Sequence, residues 1–173
     1  MKYHDEEWGV PTYDDQKLYE MLVLESFQAG LNWLTILKKR EHFRIAFDAF
    51  DYEKVATYKE DKISELLQNE NIIRHRGKIE AAINNAEAVL RIQNEFGSFS
   101  AYLWRFVSGK PIINNFANHK DVPAETELSR TMALDLKQKG FKFLGPTTIY
   151  AFMQATGLVN DHVGYCFKHK KSA

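Results

Sequence analysis

A chain of 173 residues with a single cysteine is long enough to bury a core and has no internal disulfide, so it falls outside the bridge-stapled secreted class. Lysine plus arginine equals aspartate plus glutamate at 23 each; this gives no global attraction toward nucleic acid, although a duplex feels only the charges it touches and a local basic face remains open. No apolar run approaches the length of a bilayer helix, and Met1–Val10 is acidic and aromatic where a signal peptide is basic and then apolar, so a cytoplasmic protein is expected.

The first ten residues, "MKYHDEEWGV", carry a tyrosine, a histidine and a tryptophan. Chain ends fray unless something holds them, so this composition predicts a tie to another part of the molecule. Between Asp14 and Gly30 the apolar positions Leu18, Met21 and Leu22 follow helical spacing, with Glu25 on the same stripe one turn later. "LNWLTILKKREHFRIAFDAF" reads as a second helix with Asn32 as its cap and Gly30 at the break. Short amphipathic pieces fill Asp51–Leu67, and a longer helix runs to Gly97. Ser98 or Ser100 caps the next one. Pro, Asn and Gly content rises over Gly109–Val122, which predicts a surface loop and the only candidate lobe boundary. "ETELSRTMALDLKQKG" and "PTTIYAFMQATG" give two last helices, each ending in glycine. No segment alternates with a period of two, so the expected fold is all-α, a single domain over residues 1–173.

Several constellations have chemical content. A glutamate on a buried stripe is costly unless its charge is paired or its pKa rises. Glu25 is therefore either a structural carboxylate that caps a helix or meets an arginine, or a group that reads a polar or cationic ligand in a dry pocket. Tyr3, Trp8, Phe27 and Trp33 offer an aromatic wall for a flat cation beside it, or plain core. "KGFKFLGPTTIYAFMQATG" joins a helix end to a new helix through a turn with two glycines; Lys137, Lys139 and Lys142 are close by, which suits a backbone phosphate or an ordinary connection with solvated lysines. "RHRGK" at Arg74–Lys78 is a second candidate phosphate contact or a solvated charge run. His162 and Cys166, four apart, are compatible with half of a tetrahedral zinc site, with His4 a third ligand if the chain ends meet. A Cys-His hydrolase lacks an orienting group around this pair.

Taken together, "YHDEEWGVP", "LESFQAGLNWLTILKKRE", "IIRHRGKIEA", "GFKFLGPTTIYAFMQATGLVNDH" and Cys166 resemble, in order and over nearly the whole chain, the bacterial 3-methyladenine DNA glycosylase I family of the helix-hairpin-helix superfamily. The resemblance implies a helical glycosylase domain with its termini brought together and a hairpin at about residues 128–157. It implies an enzyme that flips 3-methyladenine out of alkylated double-stranded DNA and hydrolyses its N-glycosidic bond, working as a monomer and leaving an abasic site. Glu25 would be the catalytic carboxylate that reads the base, and Tyr3, Trp8 and Trp33 would stack around it. Gln28, Gly30 and Leu31 would wedge into the duplex, while Gly140, Lys142, Gly145, Thr147 and Thr148 would grip the backbone. The family also implies a structural zinc held by His4, His162 and Cys166. Its fourth ligand, a cysteine upstream of the YHD motif, has no counterpart in these 173 residues. That leaves a segment missing before Met1, completion by water or His169, or no metal. The wider superfamily uses an aspartate after the hairpin to assist water; the family lacks it, and Asp161 receives no such role. A non-catalytic DNA-binding hairpin protein and a metal-dependent small-molecule hydrolase are the rival classes.

Overall fold

Residues 2–169 are described by the structure, a computed structural model; Met1 and residues 170–173 of the expected domain lie outside the described part. Helices dominate, as the periodicity predicts. Among the described residues they are α1 (Lys2–Glu6), α2 (Asp15–Gln28), α3 (Trp33–Ala46), α4 (Tyr52–Val55), α5 (Glu60–Leu67), α6 (Arg76–Phe96), α7 (Phe99–Trp104), α8 (Glu127–Gln138) and α9 (Pro146–Ala155). None is long and apolar enough to cross a membrane.

The caps explain most of the boundaries. Asp14 accepts from the Lys17 N–H to start α2, and Asn32 accepts from the Leu34 N–H at 2.7 Å to start α3. Ser98, rather than Ser100, caps α7 by accepting from the Ala101 N–H. The second helix is shorter than its sequence suggests. It stops at Ala46, and Asp48, Ala49 and Phe50 turn through positive φ of 52°, 56° and 58°. Phe47 and Phe50 are nevertheless both fully buried and stack on each other, so the apolar spacing continues through a turn that is not α-helical.

The core is centred on α2, whose Leu18, Tyr19, Leu22, Val23, Leu24 and Phe27 are completely inaccessible. Each such large side chain contributes about 1.5–3 kcal/mol of burial. α2 packs against α3, α6, α7 and α9. Helix α6 also ties down two flanking segments. Asn85 accepts from the Lys142 N–H at 2.9 Å and donates to the Lys142 carbonyl at 3.0 Å, and Asn84 donates to the Gly140 carbonyl at 2.7 Å. The α8–α9 connection is thereby fixed against α6.

The Gly109–Val122 loop contains a feature that its composition hides. Ile112–Ile113 (β1) pairs in parallel with Val159–Asn160 (β2), Ile112 opposite Val159. This two-residue ladder anchors the loop to the segment after α9. The N-terminal segment is held there too: the Gly9 N–H donates to the Gln154 carbonyl and the Thr12 N–H to the Thr156 carbonyl, each at 2.9 Å. Gly157 makes this approach possible, because a Cβ there would lie 2.4 Å from Val10 backbone, and its φ is +74°.

Candidate active site

Two glutamates of α2 are buried, and their surroundings differ. Glu20 accepts from Arg40 Nε at 3.2 Å and Arg44 Nε at 2.6 Å, so its charge is doubly compensated. Glu25, only 4 % exposed, has no hydrogen bond or ion pair among the described residues. Burial alone pushes its pKa up to about 8. An unpaired buried carboxyl is costly, and the pairing that would make it structural is present at Glu20 and missing at Glu25.

Glu25 faces a cavity of about 210 Å³ whose walls are Tyr3, Trp8, Gln28, Trp33, Ala151 and Gln154. Here the structure joins all four residues expected at a base-binding site: Tyr3 and Trp33 have ring centroids 5.5 Å apart, and both line the cavity with Trp8 and Glu25. The Tyr3 hydroxyl is buried without a partner. Desolvation, reinforced by the Glu25 charge, holds it far on the protonated side, so it remains a donor. Phe27, in contrast, is core: it is fully buried and packs on Phe43.

A second cavity, about 440 Å³, lies among Glu6, Tyr13, Lys17, Glu20, Arg40 and Arg44. It is the larger of the two, but its arginines are already committed to Glu7, Glu20 and Glu41. It offers no unsatisfied buried group, and the chemistry points to the smaller one.

Gln28, Gly30 and Leu31 form the turn from α2 to α3, beside the mouth of the cavity. Gly30 has φ +78° with open space around it, and Leu31 is 39 % exposed. The Gln28 amide donates to the Leu31 carbonyl at 2.9 Å. The turn is held from beneath by Lys78, which reads as solvated in the "RHRGK" run but is buried and donates to the Phe27 and Ala29 carbonyls at 2.9 and 2.8 Å. Its two neighbours are also committed, His75 as the α6 cap and Arg76 in ion pairs with Glu60 and Glu80.

In the α8–α9 connection, Gly140 has φ +94°, and a Cβ there would meet Arg91 at 2.7 Å. Gly145 has an ordinary φ of −74° and no neighbour near a Cβ, so its value is an open face rather than an unusual conformation. The residue of this turn in a left-handed conformation is Phe143, φ 61°, which is 48 % exposed and edge-on to His75. With Pro146 at the first position of α9, the N–H groups of Thr147 and Thr148 have no intrahelical partner and point outward with the positive end of the helix dipole. Lys142 is exposed beside them, whereas Lys139 is ion-paired with Glu95 at 2.9 Å.

The chain ends do meet. Donor atoms of His4, His162 and Cys166 all lie within 4.8 Å of one another. Cys166 Sγ is 3.4 Å from His162 Nδ1 and 3.8 Å from His4 Nε2. Those separations fit the roughly 3.6 Å edge that Zn–S and Zn–N bonds make at a tetrahedral angle. The far nitrogens are occupied as a metal site requires: His162 Nε2 is 2.9 Å from the Trp8 carbonyl and His4 Nδ1 is 2.9 Å from the Asp5 carboxylate. Burial also lowers the His162 pKa, favouring the neutral ligand form. His169 instead lies against the Asn114 carbonyl at 2.9 Å. The cluster adjoins the cavity, because the Trp8 ring packs against both histidines.

Sequence reasoning named Lys78 only as part of a charged run and missed its inward role, and it missed Asn85, Phe143 and Gln154 altogether. Only the positive φ of Phe143 lacks any trace in composition; the others are polar residues on helices whose partners are distant in sequence.

A family model for methyladenine glycosylases matches residues 1–169. A DNA-3-methyladenine glycosylase of Haemophilus influenzae is 48% identical over 164 residues, covering 95% of this chain and 89% of its own length. A crystal structure of 3-methyladenine DNA glycosylase I superposes with TM-score 0.94 at 50% identity, covering 97% of this chain and 92% of the other. A variant of 3-methyladenine DNA glycosylase I in complex with 3-methyladenine superposes with TM-score 0.95 at 43% identity, covering 97% and 90%.

Proposed function

The chain belongs to the methyladenine glycosylase family, and from that premise we propose that it excises 3-methyladenine from alkylated DNA at the Glu25 cavity. The observation that carries the reading is an unpaired carboxyl, 4 % exposed, inside an aromatic enclosure. N3-methylation gives adenine a positive charge, which π faces and a carboxylate attract. In the empty cavity Glu25 rests largely protonated at neutral pH, since burial raises its pKa to about 8. A cationic base reverses that balance. Glu25 gives up its proton to solvent and accepts a hydrogen bond from the exocyclic amine, while Trp33, Tyr3 and Trp8 enclose the ring. A neutral adenine supplies no charge to drive this ionisation, so undamaged DNA is passed over.

Excision then needs little acid catalysis. The C1′–N9 bond breaks, its electron pair leaves with the base and neutralises it, and water adds to the sugar carbon and loses a proton, leaving an abasic site with intact phosphodiesters. Glu25 favours the departing charge distribution in a site screened from water. Gln28, Gly30 and Leu31 occupy the space vacated by the flipped nucleotide. The α8–α9 unit acts as the helix-hairpin-helix grip, with the Thr147 and Thr148 N–H groups, the open face at Gly145, the Gly140 turn and the Lys142 ammonium meeting phosphates. One open face on duplex DNA suits a cytoplasmic monomer.

His4, His162 and Cys166 would hold a zinc ion, whose contribution is a structural tether between the chain ends. Through the Trp8 carbonyl and ring this tether steadies one wall of the cavity.

The test is incubation of the purified chain with methylated duplex DNA and chromatography of the freed bases. Free 3-methyladenine, with abasic sites that break only under heat or alkali, is the expected result; DNA binding without base release supports the non-catalytic alternative and refutes this one. Turnover abolished by chelation would favour the metal-dependent hydrolase.

A further inference from the structure

Gln154 on α9 lines the Glu25 cavity, and its amide is not free to turn. Its Nε2 donates to Asp161 Oδ2 at 3.0 Å. Asp161 is 1 % exposed and also accepts from Asn114 Nδ2 at 2.6 Å and from the Tyr150 hydroxyl. Three donors converge on this one carboxyl, so the amide nitrogen of Gln154 faces it and the amide oxygen is turned away. The remaining Gln154 Oε1 has no hydrogen bond among the described residues and is not sealed from solvent. The side chain lines the cavity, which gives this oxygen an opening in which to accept. Gln28 is oriented in the same way, since its amide nitrogen is turned to the Leu31 carbonyl and its oxygen has no partner among the described residues. Both glutamines of the cavity therefore contribute acceptors, beside the Glu25 carboxyl.

We propose that Gln154, held by Asp161, is a specificity-determining residue: its Oε1 accepts the second hydrogen of the exocyclic amine that Glu25 reads, so the cavity takes a cationic purine with an amine at that position and rejects one with a carbonyl. The inference rests on the reading that the damaged base enters this cavity. An amine has two hydrogens, and two acceptors satisfy both. A methylated guanine presents a carbonyl oxygen at the corresponding place, and the Gln154 oxygen offers it a lone pair and no hydrogen. Sites that hydrogen-bond a substrate group discriminate strongly against an analogue that leaves those groups unpaired, whereas shape alone discriminates weakly between isosteres. Asp161 acts through Gln154 and is a positioning residue. Its buried set of three donors is what makes the amide orientation fixed rather than adaptable.

Gln154→Met keeps the length and apolar contacts of the side chain and removes the acceptor. Methylated duplex DNA containing both 3-methyladenine and 3-methylguanine is the substrate, and release of each base is followed by chromatography under single-turnover conditions. We expect Gln154→Met to slow 3-methyladenine release about tenfold while leaving 3-methylguanine release unchanged or faster, so the ratio of the two falls about tenfold, the size of one hydrogen bond to a charged group. A merely structural defect lowers both rates by the same factor, and an unchanged ratio overturns the proposal. Asp161→Asn frees the amide to turn its NH₂ inward and is expected to lower the ratio in the same way. If Gln154→Met fails to give a folded protein by circular dichroism, the Asp161→Asn ratio decides by the same criterion. A wild-type chain that releases no 3-methyladenine refutes the underlying reading of the cavity instead.

Discussion

Replacing Glu25 by glutamine separates the cost of this carboxyl from its use. In the folded chain its pKa is raised to about 8, against an ordinary carboxyl value of 4.5. Between those two values the folded state holds a proton that the unfolded chain has released, so stability falls as pH rises through the window. The contribution is complete below pH 4.5 and withdrawn by pH 8; at about 1.4 kcal/mol per unit, the whole window amounts to about 5 kcal/mol. Glutamine cannot ionise. Glu25→Gln should therefore match the wild type near pH 4.5 and become increasingly more stable as pH approaches 8, on the order of 10 °C in midpoint for a chain of this size. Urea or thermal unfolding of both proteins at half-unit pH intervals measures the difference directly. A difference that does not grow over this interval refutes the claim that Glu25 is buried, unpaired and protonated at rest.

Three other consequences follow from contacts around the site. Lys78→Met removes the two hydrogen bonds beneath the Ala29–Leu31 turn; duplex excision should fall at least fivefold while binding of free 3-methyladenine, followed by tryptophan fluorescence, changes less than twofold. Asn85→Ala unfastens the Lys142 backbone on both its N–H and its carbonyl, with an expected loss of about 1–3 kcal/mol in urea unfolding and weaker duplex binding; Lys142→Ala should instead leave stability unchanged and reduce the salt slope of DNA binding by about one. Elemental analysis should find close to one zinc per chain, and chelation or Cys166→Ser should lower the thermal midpoint and make tryptophan more accessible to a soluble quencher, since Trp8 packs against the histidine pair. Absence of zinc in freshly purified protein would contradict the tether.

Helix positions were legible because their signals are local. Asn32 and Ser98 cap where their side chains predict, and the stripe that buries Leu18, Met21 and Leu22 also carries Glu25 inward. Glu20 lies off that stripe and is buried all the same, because α2 is enclosed on every side from Leu18 to Phe27; what separates the two buried glutamates is the position of Arg40 and Arg44 on α3. The "RHRGK" run was ambiguous for a related reason. Charge along a sequence gives no direction in space, and its single lysine, Lys78, turns inward to the end of α2 while Arg76 pairs with two glutamates. The ladder between Ile112–Ile113 and Val159–Asn160 spans 47 residues of sequence and only two residues of strand, too short for any alternation to register. The meeting of His4 with His162 and Cys166 was foreshadowed by ligand types, yet it depends on Gly157 letting Val10 and Pro11 pass.

The most direct test of the account is single-turnover release of 3-methyladenine from methylated duplex DNA by the wild type and by Glu25→Gln, with duplex affinity measured on the same preparations. The wild type should release the free base, and the variant should keep its affinity for duplex within about twofold while its release rate falls by at least tenfold, about 1.4 kcal/mol of lost transition-state stabilisation. Full-rate excision by Glu25→Gln, or no release by the wild type, would contradict it.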